Sequence, residues 1–393
     1  MTQLNITINL ENLKEKVENS SLETPVKSSL VLMLNSLMEK ERDEHISAPS
    51  HKRTAERTGY RNGYYERDLI TGAGSLKLRV PRTRDGKFSP SIFRDYERYD
   101  QALVLSMMEM VINGVSTRKV SKIVEELCGK KVSKSFVSNL TKELDPIVNE
   151  WRNRPLNVYY FPYIYVDAMY IKVREDRKVV SKAVYIACGV NDEGYREIIG
   201  MHIDHKESEE SWSTFLESLK ARGIQSPKMI VSDAHKGLVK AIGETFLGTS
   251  WQRCVVHFLR NMVNKLPKKN TLEIREDLKA IFKTPKLKHA RELKDQFIEK
   301  YEEVKCVQKT IEILEEGFED AMQYHAHSSK YHQHLRTTNM LERVNKEVRR
   351  REKVISIFPN DQSAVRLIGA VLMDINESWE HKQYLISYEA MSN

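Results

Sequence analysis

Between residues 159 and 258 the chain alternates short apolar strands with amphipathic helical stretches, and that alternation most restricts what it can fold into. YYFPYIYVDAMYIKV, KAVYIACGV and REIIGMHI are rich in aromatic and β-branched residues and read as three strands. The turn NDEG at residues 191–194 makes the strands antiparallel neighbours. Trp212, Phe215, Leu216 and Leu219 then mark one face of a helix that stops at Gly223. KMIVSD predicts a fourth strand ending at Asp233, residues 235–246 a helix, and SWQRCVVHF a fifth strand. The expected fold class is therefore α/β, a mixed sheet flanked by helices, with its first part spanning 158–258.

The flanks differ in character. Residues 259–334 are helix-forming and highly charged, with apolar stripes at Ile274, Leu278, Ile281 and Phe282, then Phe297, Val304, Ile311 and Leu314, and read as an all-α insertion. Residues 335–393 complete the α/β domain with a basic helix starting at TTNMLERVNKEVRRREK and a last helix capped by Asn360. Ahead of the sheet, residues 1–50 carry a helical stripe (Val26, Leu30, Met33, Leu34, Leu37) suited to packing or oligomerisation. A polar linker at 47–58 leads into a basic β-containing segment, 51–100, in which Leu76, Leu78 and Val80 alternate with Lys77, Arg79 and Arg82. Residues 101–150 turn helical. One helix opens at Ser116, Cys128-Gly129 breaks it, and Ser133 or Ser135 caps a second: the pattern of a helix-turn-helix. Its second helix would offer Lys134, Ser135 and Ser138 to a DNA groove, with Arg118 and Lys119 on the first; any helical hairpin gives the same pattern.

The charge distribution narrows the class of partner. Residues 51–98 carry a net charge of +6, residues 116–142 of +5 and residues 343–353 of +4, so the remainder of a chain whose total is +8 is acidic. Three separated basic clusters favour a polyanion, and double-stranded DNA above all. No apolar run approaches the roughly 18 residues of a membrane span. Four scattered cysteines and an N-terminus without a basic-then-apolar start suggest a cytoplasmic, nucleoid-associated protein in a reducing compartment.

Three carboxylates carry the chemistry. Asp167 lies within an apolar strand, where an ionised group needs a compensating cation; the alternatives are a Lys or Arg partner, or an exposed strand face. Asp233 ends a buried strand, where ligands gather in such sheets, though Asp is also a favoured N-cap. Glu342 stands three residues after Asn339, the spacing of a capping box, yet Lys346, Arg349 and Arg350 follow it along the same helix. Two strand aspartates and one helix glutamate can converge as hard oxygen ligands for Mg²⁺, with Mn²⁺ as substitute, and a pair of such ions serves phosphoryl transfer. No Walker-type glycine loop is present, so no nucleotide cofactor is expected.

These residues sit in motifs that resemble the bacterial mutator-type insertion-sequence transposases, of the ribonuclease H-like superfamily with an Asp-Asp-Glu active site. The resemblance runs nearly the whole length, through GYRNGYYER and VPRTRDG, GVSTRKVSKIVEELCG, YVDAMYIKVR, VSDAHKGL, WQRCVVHFLRN and TTNMLERVNKEVRRRE followed by IFPN. It implies a catalytic, metal-binding triad of Asp167, Asp233 and Glu342, with a helical insertion before the glutamate. Cys254 and His257 match the family's C-x-x-H signature near the active site. As zinc ligands they make half a site; His325, His327, His332 and His334 read as a surface loop. The implied function is binding of terminal inverted repeats, then metal-dependent DNA cleavage and strand transfer by a homodimer or higher oligomer. Arg343, Lys346, Arg349 and Arg350 would contact DNA. A nuclease or resolvase on the same fold, or a non-catalytic helix-turn-helix regulator, are the rival readings.

Overall fold

The computed structural model describes residues 23–49, 56–72, 74–93, 99, 101–267, 269 and 271–385. The middle of the expected linker, 50–55, lies outside them. Contacts divide the chain into two compact units, Met1–Lys142 and Glu143–Asn393. Among the described residues no helix is long and apolar enough to cross a membrane.

In the first unit β1 (Arg61–Thr71) and β2 (Gly74–Thr83) form an antiparallel hairpin that sets Leu69 opposite Leu76 and Arg67 opposite Leu78. The period of two buries Leu76, Leu78 and Val80 and leaves Lys77, Arg79 and Arg82 exposed, as the alternation predicts. Helix α1 (Glu23–His45) covers the buried side with Leu30, Val31, Leu34 and Met38, so its apolar stripe is a packing face. Three further helices follow: α2 (Gln101–Ile112), α3 (Thr117–Cys128) and α4 (Lys134–Leu140). Ser116 caps α3 by accepting the Lys119 N–H, and Gly129 ends it at φ 67°, a conformation that suits glycine. Ser133, not Ser135, caps α4 by accepting the Phe136 N–H. Arg118, Lys119, Lys134, Ser135 and Ser138 are all exposed.

In the second unit α5 (Leu144–Arg152) precedes a five-stranded sheet. Its strands are β3 (Tyr163–Glu175), β4 (Lys178–Val190), β5 (Arg196–Asp204), β6 (Met229–Ser232) and β7 (Ser250–Arg253). Their order is β5-β4-β3-β6-β7; the first three are antiparallel, while β6 runs parallel to β3 and β7 parallel to β6. Helices α6 (Glu209–Ala221) and α7 (Lys236–Thr245) cover one face. There Trp212, Phe215, Leu216, Leu238 and Ile242 pack on Val166, Tyr185 and Ile230. The mixed α/β class is thus as expected.

The fifth strand is shorter than expected. It ends at Arg253, and α8 (Val255–Val263) begins at once. Val255, Phe258 and Met262 recur at helical spacing and are all buried, a period that a short apolar run hides from sequence reading. The helices α9 (Leu272–Ile281), α10 (Leu287–Tyr301) and α11 (Gln308–Ala321) follow, then the single turn α12 (His332–Leu335). Val304 falls after α10 and is partly exposed.

The final helices are α13 (Asn339–Ile355) and α14 (Asp361–Glu377). Asn360 caps α14 in a reciprocal box with Ser363. Arg366 of α14 forks onto Asp145 of α5 at 2.6 and 2.7 Å, and Gly369 lets the Val148 side chain approach the α14 backbone. Between the two last helices Phe358 pairs with the far half of β3: its N–H donates to Lys172 and its carbonyl accepts from Arg174. That seam holds α13 against β3.

Candidate active site

The parallel pairing of β3 and β6 keeps a constant offset of 66 residues, from Tyr163 beside Met229 to Tyr165 beside Val231. Continuing the offset sets Asp233, just past the end of β6, level with Asp167. Asp167 accepts the Ala168 N–H on Oδ1 at 2.9 Å. Burial above all, then the Asp233 charge and a smaller push from Glu207, outweigh the Ala168 hydrogen bond and His257 and bring its carboxyl up to about 7. Asp233 does not cap the following helix. His235 is the N-cap of α7, and Asp233 Oδ1 accepts the His235 N–H at 3.3 Å.

Glu342 lies in the first turn of α13, and the capping box expected of Asn339 and Glu342 is absent. Asn339 is already helical, the N-cap is Thr338, and no side chain caps from within the helix. The Glu342 carboxylate points instead to α8, with Oε1 3.3 Å from His257 Nε2 and 3.8 Å from Arg260. One turn on, Asn345 donates to Asp167 Oδ2 at 2.8 Å.

Cys254 and His257 brace this arrangement. The buried Cys254 sulfur accepts both the Thr338 N–H at 3.4 Å and the Thr338 hydroxyl at 3.3 Å, so it caps the Glu342 helix from outside. Burial works to raise the Cys254 thiol, but its polar contacts with His257 and Thr338 outweigh it and hold the thiol below its usual range. Contact with Cys254 raises His257, with Asp167 and Glu342 adding to it against burial. The four later histidines form no surface loop. His325, His327 and His332 are half-buried among Tyr163, Tyr324 and Tyr331, because the chain folds them onto the start of β3. Burial lowers His325 to about 4. Among the described residues no group of three His, Cys, Asp or Glu side chains stands close enough to hold a metal ion, zinc included.

Asp167 and Asp233 are brought together, and Glu342 joins them through His257 and Asn345 rather than by its own oxygens. Lys346, Arg349 and Arg350 line one groove with Glu342 and Asn345, and Arg350 is paired there with Glu347 at 3.1 Å. Arg343 faces a separate cavity. Sequence reading missed two residues. Asn345 sits three positions after Glu342, the helical repeat that could have marked it. Glu207 precedes α6, accepts the Trp212 indole N–H at 3.1 Å, and lies 3.7 Å from His235. Burial raises its carboxyl, and the Asp233 charge adds to the effect.

The donor set suits a hard cation. The Asp233 carboxylate raises the cost of ionising Asp167, and the buried Oδ1 of Asn345 has no hydrogen-bond partner among the described residues. Asp167, Asp233 and that amide oxygen are hard donors that could hold magnesium.

A family model described as "Transposase, Mutator family" matches residues 1–382. The transposase for insertion sequence element IS256 in transposon Tn4001 of Staphylococcus aureus is 52% identical over 379 residues, covering 96% of this chain and 97% of that protein. The transposase for insertion sequence element ISRM5 of Rhizobium meliloti is 41% identical over 354 residues, covering 90% and 88%. That for IS1081 of Mycobacterium tuberculosis is 35% identical over 358 residues, covering 91% and 86%.

Proposed function

This chain belongs to the Mutator family of transposases, and from that premise we propose that it recognises the terminal inverted repeats of an insertion sequence and catalyses DNA cleavage and strand transfer. In this reading the second unit is a ribonuclease H-like catalytic domain, 158–258 with 335–393, interrupted by the all-α insertion 259–334. Residues 101–150 recognise DNA through a helix-turn-helix, helped by the basic hairpin of 51–100, and the active species is a dimer or higher oligomer.

The observation that carries the proposal is the level pair Asp167 and Asp233, with Asp167 pushed up to about 7. A half-buried carboxylate pair of this kind suits a cation, and a perturbed carboxylate such as Asp167 marks chemistry more often than packing. Asp167, Asp233 and the Asn345 amide oxygen would hold magnesium, whose charge would serve to activate the attacking oxygen and stabilise the leaving one in phosphoryl transfer. Asn345 orients Asp167, so that one carboxylate oxygen has a fixed direction. His257 and Arg260 hold the Glu342 carboxylate at the edge of the site. Lys346 and Arg349 line the same groove, where a DNA strand would find phosphate partners.

Asp167→Ala and Asp233→Ala proteins, assayed with labelled end DNA and Mg²⁺, should retain end binding and lose both cleavage and joining. Cleavage without joining by the unaltered protein would favour a nuclease. Full activity of either variant would remove that residue from the site.

A further inference from the structure

A second concave site lies on the other side of the first turn of α13. It is a cavity of about 470 Å³ between α8, the end of α9, and the α12–α13 connection, closed by Tyr384. Five cations line it: Arg196, Lys279, Lys283, Arg336 and Arg343. None of the five is ion-paired with a carboxylate among the described residues, and no described acidic residue lines the cavity. Arg196 stacks on Trp379 and Tyr384 at 4.3 and 5.2 Å, its Nε is buried without a hydrogen-bond partner, and Arg343 lies near enough to repel it. Like charges held together around a hollow call for an anion.

The remaining wall limits which anion. Val255, Leu259, Phe282 and Met340 give the cavity an apolar side opposite its cations. A bare phosphate would leave that side in water, and a DNA duplex is too wide to enter so small a space. An unpaired nucleotide satisfies both halves, with its base against the apolar wall and its phosphate among the guanidinium groups.

We propose that this cavity binds one unpaired nucleotide of the DNA strand, beside the Glu342 helix but apart from the carboxylate site. The inference rests on DNA being the substrate, as proposed above, and adds a discrimination that the proposal does not contain: preference for DNA whose end is single-stranded over a blunt duplex.

Fluorescence anisotropy with the full-length protein tests it, using a labelled end duplex either blunt or carrying a short single-stranded extension. The extended DNA should bind about tenfold more tightly. That advantage should disappear in a Lys279→Ala, Lys283→Ala variant whose blunt-duplex affinity and melting temperature stay unchanged. Deoxynucleoside monophosphate should compete with the extended DNA at concentrations where inorganic phosphate does not. If the double variant fails to fold, the exposed single change Lys279→Gln should lower the advantage alone. Equal affinity of the unaltered protein for both DNAs would overturn the inference, as would competition by phosphate alone or loss of both affinities in parallel. Failure of end binding itself by the unaltered protein would instead count against the transposase reading.

Discussion

Asn345 ties the helix that bears Glu342 to the strand that bears Asp167, donating its amide to Asp167 Oδ2 at 2.8 Å. The bond has two effects. It fixes the rotamer of a carboxylate that burial and Asp233 discourage from ionising, and it fixes the height of Glu342 above the sheet. A site for phosphoryl transfer needs its ligands aimed before substrate arrives.

Asn345→Ala should therefore lower strand transfer by about 10- to 100-fold, with end binding within about twofold of the unaltered protein. Asn345→Asp should be at least as damaging, because it sets a third carboxylate beside Asp167. Gel-shift and joining assays on the same preparations separate the two effects.

The Asp167 shift makes a prediction about stability and pH. Its folded value of about 7 lies above the roughly 3.9 of an unfolded chain. Between those values the folded protein holds a proton that the unfolded chain has released, so stability without metal falls as pH rises through this window. Stability in EDTA should be lower at pH 8 than at pH 6, by on the order of 1 kcal/mol. Asp167→Asn should flatten that dependence, and magnesium should restore the unaltered protein at pH 8 but not the variant. Identical pH curves for the two would contradict the burial argument.

Cys254 and His257 are expected to act as a brace, the sulfur on the start of α13 and the imidazole on the Glu342 carboxylate. Cys254→Val removes the acceptor of the Thr338 N–H and should cost about 1–3 kcal/mol; Cys254→Ser should recover part of it. His257→Ala should fold normally but need more Mg²⁺ for half-maximal joining, with His257→Gln partly rescuing. Stoichiometric zinc in the purified protein would defeat this reading.

Away from the site, Gly369→Ala should destabilise by about 1–3 kcal/mol, since a Cβ there collides with Val148 on α5. The double change with Val148→Ala should recover most of the loss in thermal melts.

How much of this was legible in the sequence depended on the range of the interaction. Strand alternation gave the sheet because period-two burial is local, and Asn360 and Ser133 announced helix starts by local hydrogen bonds. Asp167 stood out because a charge in an apolar strand is anomalous by itself. The expected cap at Asn339 was absent because the acceptor at that helix start is Cys254, 84 residues away in sequence. The tyrosine-lined histidines and the role of Asn345 depend on contacts of the same long range. Glu207 is ordinary in sequence, and only proximity to Asp233 and His235 makes it part of the site.

The most direct test of the central claim is strand transfer by Glu342→Gln. With no capping box at this position, glutamine costs the helix little, and it can still reach His257 and Arg260. It lacks the negative charge that this carboxylate, held by His257 and Arg260 at the edge of the site, brings to a cation there. With end DNA, target DNA and Mg²⁺, the variant should bind ends normally and give less than about one hundredth of the normal joined product, a loss of roughly 3 kcal/mol or more in transition-state stabilisation. Near-normal joining would contradict the account and take Glu342 out of the chemistry.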